Sequence, residues 1–236
     1  MQYQVSRILA GPFLHLLWRP VITGLEHIPA SGGAILASNH RSVVDTIFLP
    51  LMLTRPVTFA AKSEYFTGTR LPDRITGAYL RATKQLPVDR AGTRAAQDML
   101  ESALTLVRGG ALFGIYPEGT RSPDGRLYRG RTGVGWLALS SGVPVIPVAM
   151  IGTEQVLPPG SKIPRLSRIE VRVGKPLTFD AYREQPAGAR QRRAVTDEVM
   201  RSIQALSGQE YVAVYASTRK EELAAANGSG AASSAS

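Results

Sequence analysis

Ser38-Asn39-His40-Arg41-Ser42-Val43-Val44-Asp45 is a polar turn between two apolar segments, a strand-like run at 34–38 and a helix-like one at 43–53. Short β-leaning runs recur at 57–61, 111–116, 143–150 and 169–173. Helical spacing occupies the intervals at about 72–81, 93–107, 132–140 and 190–206. This alternation predicts an α/β fold in which the turn is one of several strand-to-helix connections. The expected architecture is a single domain, a mixed central sheet flanked by helices, with an N-terminal apolar helix. A length of 236 residues suits one compact domain with one site.

Two readings of the turn are compatible. Ser42-Val43-Val44-Asp45 ahead of Ile47-Phe48-Leu49 fits a capping box, with Ser42 as N-cap and Asp45 in the first turn. His40 and Asp45 also suit a base and its orienting carboxylate. Five positions along an ideal helix leave two side chains roughly 140° apart, so His40 must belong to the preceding loop and fold back over the helix start. There Asp45 can accept a hydrogen bond from one ring nitrogen and leave the other free as a base. The helix N-terminus favours the Asp45 anion. His15 and His27 lack such a partner and are assigned to packing or solvent.

A second constellation, Tyr116-Pro117-Glu118-Gly119-Thr120-Arg121-Ser122, follows the apolar run at 111–115. Strand-end loops are where α/β folds place ligands. Arg121 can present a bidentate fork to a phosphate, and Gly119 lets backbone N–H groups approach an anion. The plain alternative is a polar loop leading into the turn Ser122-Pro123-Asp124-Gly125.

Composition narrows the chemistry. The chain has no cysteine, which excludes disulfides, thiolate zinc sites and a Cys nucleophile. Twenty-eight Lys+Arg against 18 Asp+Glu give a net charge of +10, which favours phosphates of nucleic acid or lipid. A nucleic-acid module finds no support, because zinc spacing, an aromatic RNA-binding motif and a basic zipper helix are all missing from the sequence. No window reaches the roughly 18 apolar residues of a spanning helix. The apolar stretch 5–18, broken at Gly11-Pro12, reads as a membrane-lying or core-packed helix rather than a signal peptide. The polar end from Asn227 reads as a structureless tail. The expected organisation is a membrane-associating helix over 1–20, a catalytic domain over 21–222 and a disordered tail over 223–236.

Together the two constellations resemble the glycerolipid acyltransferase family typified by bacterial 1-acylglycerol-3-phosphate acyltransferases. Asn39-His40-Arg41-Ser42-Val43-Val44-Asp45 resembles that family's His-x-x-x-x-Asp block, and Tyr116 to Ser122 resembles its Phe-Pro-Glu-Gly-Thr-Arg-Ser block with Tyr for Phe. Leu86-Pro87-Val88-Asp89-Arg90 is similar to the block whose arginine binds acceptor phosphate, although Pro87 stands where a hydrophobic residue is usual. Val143-Pro144-Val145-Ile146-Pro147-Val148 is similar to the fourth block, Ala61-Lys62-Ser63-Glu64 to a lysine-bearing segment, and Tyr128-Arg129-Gly130 to a basic-glycine turn. The resemblance runs from about Gly24 to Pro176.

The resemblance implies transfer of a fatty acyl group from acyl-CoA or acyl-carrier protein to the free hydroxyl of 1-acylglycerol-3-phosphate. His40 would act as base and Asp45 would orient it. Lys62, Arg90, Gly119, Thr120 and Arg121 would bind substrate, with Glu118 organising Arg121 or accepting from the glycerol. No cofactor and no metal are implied, and the absence of a Gly-x-Ser-x-Gly elbow agrees with direct transfer. The implied partners are membrane lipids and the acyl donor, and the implied location is peripheral, at the cytoplasmic face of the cell membrane. Arg165, Arg168, Arg172, Lys175, Arg190, Arg192 and Arg193 are candidates to face anionic lipid or a phosphorylated carrier. Shared blocks do not separate this acceptor from another lysophospholipid or a glycolipid. A silent lipid-binding homologue is disfavoured by an intact His40 and Asp45.

Overall fold

The structure, a computed structural model, describes residues 11–12, 15–69, 71–88, 92–158, 161, 163–182 and 188–233. Its strands are β1 (Val21–Thr23), β2 (Ala34–Ser38), β3 (Val57–Lys62), β4 (Leu86–Val88), β5 (Leu112–Ile115), β6 (Leu127–Tyr128), β7 (Val145–Ile151), β8 (Glu170–Val173) and β9 (Tyr211–Val212). The helices are α1 (Asp45–Met52), α2 (Glu64–Thr67), α3 (Leu71–Ala82), α4 (Gly92–Arg108), α5 (Gly133–Ser141), α6 (Thr153–Val156), α7 (Ala189–Ser207) and α8 (Ala216–Ser233). Seven strands make one sheet in the order β1-β8-β7-β2-β5-β3-β4. Among the described residues only β7 and β8 are antiparallel neighbours in it, so the sheet is mixed, as expected. Strands β6 and β9 pair separately.

The centre of the sheet is covered on both faces, which is why β2 reads as an unbroken apolar run instead of an alternating one. Ala34 and Leu36 join one core with Phe48, Leu49, Phe59 and Met150. Ile35 and Ala37 join the other with Phe113, Leu137, Val199 and Ile203. At the sheet edge Pro87 sits in β4, opposite Ala61 of β3. An edge strand tolerates a residue with no N–H to donate, so the departure from the family pattern costs little pairing.

One expectation is corrected. Helix α8 runs through Ala216–Ser233, into the stretch expected to be a structureless tail. Glu221-Glu222-Leu223-Ala224-Ala225-Ala226 are strong helix formers, and they carry the helix past 223. Among the basic residues named as candidates to face lipid, Arg172 pairs with Glu170 at 2.7 Å and donates to Leu206 O. Arg193 pairs with Asp197 and donates to Gly130 O. Both hold the domain together.

Most of the N-terminal helix expected over 1–20 lies outside the described residues. Trp18 is described, and it packs edge-on against Phe48 at 5.6 Å while Nε1–H donates to Arg165 O. Among the described residues no helix is long and apolar enough to cross a membrane.

Candidate active site

Register explains why the two polar turns meet. Strands β2 and β5 are parallel neighbours, with Ala37 opposite Ile115, so the loops that follow them leave the same edge of the sheet. Strands β3 and β4 run parallel to them, with Lys62 opposite Val88, and end at that edge as well.

His40 lies in the loop after β2, as the helix geometry requires, and its Nδ1 is 2.9 Å from Asp45 Oδ2. Facing an acceptor oxygen, Nδ1 carries the proton and donates it, which leaves the lone pair on Nε2. Asp45 is fully buried while the His40 side chain keeps 15% exposure, so the imidazole is reachable from outside and the carboxylate beside it is not. The same Oδ2 accepts from the backbone N–H groups of Arg41 and Ser42, both at 2.8 Å. Asp45 thus fixes the turn and the ring together.

Only half of the capping box forms. The Ser42 N–H donates to Asp45 as the motif requires, but Ser42 Oγ donates to Leu157 O instead of accepting from the helix. The N-cap is Val44, without a side-chain cap. The hydroxyl is drawn to the Leu157 carbonyl of the segment after α6, and the Asp45 carboxylate ties the preceding turn to the helix start. Arg41 makes a second tie to that region, pairing with Glu154 at 3.0 Å.

The imidazole is also clamped on its face. Tyr116 stacks on it at 3.9 Å between centroids and 12° between planes, and Phe59 stacks behind Tyr116 at 5.2 Å. Gly114 makes room for this: a Cβ there would come within 2.2 Å of the Phe59 ring. Burial, followed by the charge of Asp45, pushes the Tyr116 phenol upward, so it stays protonated. Tyr116 Oη has no hydrogen-bond partner among the described residues.

Glu118 joins the two loops through the backbone. Its Oε2 accepts from His40 N–H at 3.1 Å and its Oε1 from Tyr128 N–H at 2.9 Å. Ser122 N–H returns a bond to His40 O at 2.8 Å, so the loops are pinned in both directions. Burial raises the Glu118 pKa from 4.5 to about 7, the two N–H groups oppose that rise, and Asp45 adds to it. Glu118 is buried, and its two oxygens are taken by the backbone, so its place in the site is to hold the loops that carry His40 and Arg121.

Gly119 takes φ +74°, a left-handed turn that glycine adopts without strain, and it sends the chain outward to Thr120 and the exposed Arg121. Arg121 makes no hydrogen bond or ion pair to a described residue, so its fork remains available to an anion. Lys62 ends β3 at the same edge, 3.6 Å from the exposed Glu64, and no described contact joins it to the His40–Asp45 pair. Arg90 lies outside the described residues.

Sequence reasoning missed several residues that complete the site. Asn39 is buried and locks the turn onto β7, accepting from Met150 N–H at 2.7 Å and donating to Met150 O at 3.0 Å and to Gln209 Oε1 at 2.7 Å. Gln209 in turn donates to Gly125 O. His27, assigned to packing or solvent, lies 2.9 Å from Val173 O through Nδ1. An open cavity of about 390 Å³ lined by Arg129, Asp197, Met200 and Tyr211 includes none of His40, Asp45, Glu118 or Arg121, and takes no part in this constellation.

The sequence matches the family described as Acyltransferase over residues 19–151, more than half of the chain. It is 31% identical to the 1-acyl-sn-glycerol-3-phosphate acyltransferase BAT2 of Brassica napus chloroplasts over 73% of this chain and 49% of that protein. It therefore spans about half the length of that plant relative. Identity to the 1-acyl-sn-glycerol-3-phosphate acyltransferase of Bacillus subtilis is 26%, covering 70% of this chain and 77% of that one. The crystal structure of the 1-acyl-sn-glycerophosphate acyltransferase PlsC of Thermotoga maritima superimposes with a TM-score of 0.64 at 25% identity, over 86% of this chain and 79% of that one.

Proposed function

The chain belongs to the acyltransferase family, and on that premise we propose that it transfers a fatty acyl group from acyl-CoA or an acyl-carrier protein to the free hydroxyl of 1-acylglycerol-3-phosphate, giving phosphatidic acid. The observation that carries the reading is the His40 Nδ1 to Asp45 Oδ2 contact of 2.9 Å on a partly exposed imidazole. Its support comes also from relatives whose names state that acceptor.

The chemistry needs no covalent enzyme intermediate. His40 Nε2 takes the proton of the acceptor hydroxyl as its oxygen attacks the thioester carbonyl. The tetrahedral intermediate then expels the thiolate, which recovers the proton from Nε2, and Asp45 stabilises the imidazolium between the two transfers. Stacking on Tyr116 and the backbone grip of Asp45 fix the ring beforehand, so little ordering is left for the reaction itself. Arg121 holds the acceptor phosphate and presents its hydroxyl to Nε2.

Both substrates are lipidic, and the working location is a membrane surface, entered peripherally. Exposed Ile163 and Leu166 beside exposed Arg165 give that surface an apolar and basic edge next to Trp18. The deciding experiment is a labelled-acyl transfer assay with a panel of lysolipid acceptors and both kinds of thioester. Transfer to 1-acylglycerol-3-phosphate above all other acceptors is the expected result. Preference for a glycolipid or an uncharged acceptor would overturn the acceptor assignment.

A further inference from the structure

We propose that Lys220, brought in by helix α8, grips the acceptor phosphate together with Arg121 and selects a phosphate monoester over a diester headgroup. This assignment rests on the acyl-transfer reading above. Lys220 lies outside the 19–151 family match, so the shared blocks do not supply it. Its Nζ donates to Thr120 Oγ1 at 2.6 Å, inside the loop that joins Glu118 to Arg121.

The helix is fastened there by more than that bond. Arg131 Nη2 donates to Ser217 Oγ at 3.1 Å. The guanidinium groups of Arg129 and Arg131 lie over the Tyr215 ring at 5.6 and 5.2 Å. Arg131 N–H donates to Pro117 O, tying the same basic segment to the loop. Lys220 is thereby held at the phosphate end of the site rather than swinging freely.

Charge gives the placement its meaning. Burial and then the neighbouring charge of Arg121 depress the Lys220 pKa, so the two cations sense each other. Among the described residues neither forms an ion pair with a carboxylate. Glu118 is near enough to act on Lys220, but both of its oxygens are occupied by backbone N–H groups. Like charges set side by side repel, and an anion between them removes the repulsion. A monoester phosphate, with close to two negative charges and three free oxygens, satisfies both cations at once, whereas a diester brings a single charge.

The test uses the full chain in the transfer assay, with Lys220→Met and Lys220→Arg, on lysophosphatidic acid, lysophosphatidylglycerol and monoacylglycerol. Lys220→Met is expected to raise the KM for lysophosphatidic acid about tenfold, the loss of one charge-assisted bond, with kcat and the thioester KM unchanged. Lysophosphatidylglycerol should suffer less and monoacylglycerol not at all, while Lys220→Arg restores most of the monoester affinity. An equal loss on all three acceptors, with a lowered Tm, would make Lys220 a strut for the Thr120 loop and overturn the proposal. An unchanged lysophosphatidic acid KM in Lys220→Met would overturn it directly. If the wild-type chain transfers to none of the acceptors, the activity reading itself falls and this assignment with it.

Discussion

Glu118→Gln tests how the two loops of the site are held. The carboxylate accepts one bond on each oxygen, from His40 N–H at 3.1 Å and from Tyr128 N–H at 2.9 Å. A glutamine amide offers one oxygen and one NH₂, so one of those buried donors faces another donor and goes unmet, at a cost of about 1–3 kcal/mol. The pH dependence separates this from an ordinary packing loss. The folded pKa of about 7 lies above the reference value of 4.5, so between these values the native state holds a proton that the unfolded chain has released. Stability from this group is therefore complete below about pH 4.5 and is lost as pH rises through about 7. The full gap corresponds to about 3 kcal/mol, of which about 2–3 falls between pH 5 and pH 8. Glutamine does not titrate. In urea unfolding at those two pH values, the deficit of Glu118→Gln relative to wild type should shrink by that amount on going to pH 8. A deficit that stays constant or grows with pH would mean that the backbone N–H groups, not burial, govern the carboxyl, and the reasoning would fail.

Three further outcomes are expected. His40→Ala should keep its fold and lose at least about a hundredfold in acyl transfer, and Asp45→Asn a comparable amount; near-wild-type turnover in a folded His40→Ala protein would remove His40 from the mechanism. Arg121→Ala should raise the acceptor KM by about tenfold or more while sparing the thioester KM, and the reverse pattern would invert the division of the site. Deleting residues 1–17, which leaves Trp18 on Phe48, should weaken sedimentation with anionic liposomes with little change in Tm; retained liposome binding would refute the membrane role of that segment, and collapse of Tm would assign it to the core.

The parts of this molecule legible in the sequence are those governed by near neighbours. Periodicity finds the central strands because β2 is buried on both faces and leaves no polar interruption between Ala34 and Ala37. Spacing finds the His40–Asp45 contact because five residues across a strand-to-helix turn admit one workable geometry. Short pieces escape: β1, β6 and β9 carry two or three residues each, too few for any period to register. Ser42 misleads because its hydroxyl has two possible partners, and the one that wins, Leu157 O, lies 115 positions away.

The rest of the site is decided by distance along the chain. Gln209 reaches Asn39 across 170 positions, and Lys220 reaches Thr120 across 100. No local pattern encodes either contact, since glutamine after a helix and lysine on one are ordinary surface residues in isolation. Their meaning appears when α7 crosses behind the sheet and returns the chain, through β9, to the edge where β2 and β5 end. That return explains why the His40–Asp45 pair is readable from one short block while the groups that brace it are not. The pair needs only one turn to meet. For the acceptor proposed above, bracing that loop against a phosphate needs cations from outside it, because adjacent residues on a tight turn cannot all point inward at one phosphate. A C-terminal helix laid across the Glu118 loop supplies that second direction of approach, and so the affinity for acceptor should respond to changes in α8 that leave the His40–Asp45 geometry untouched.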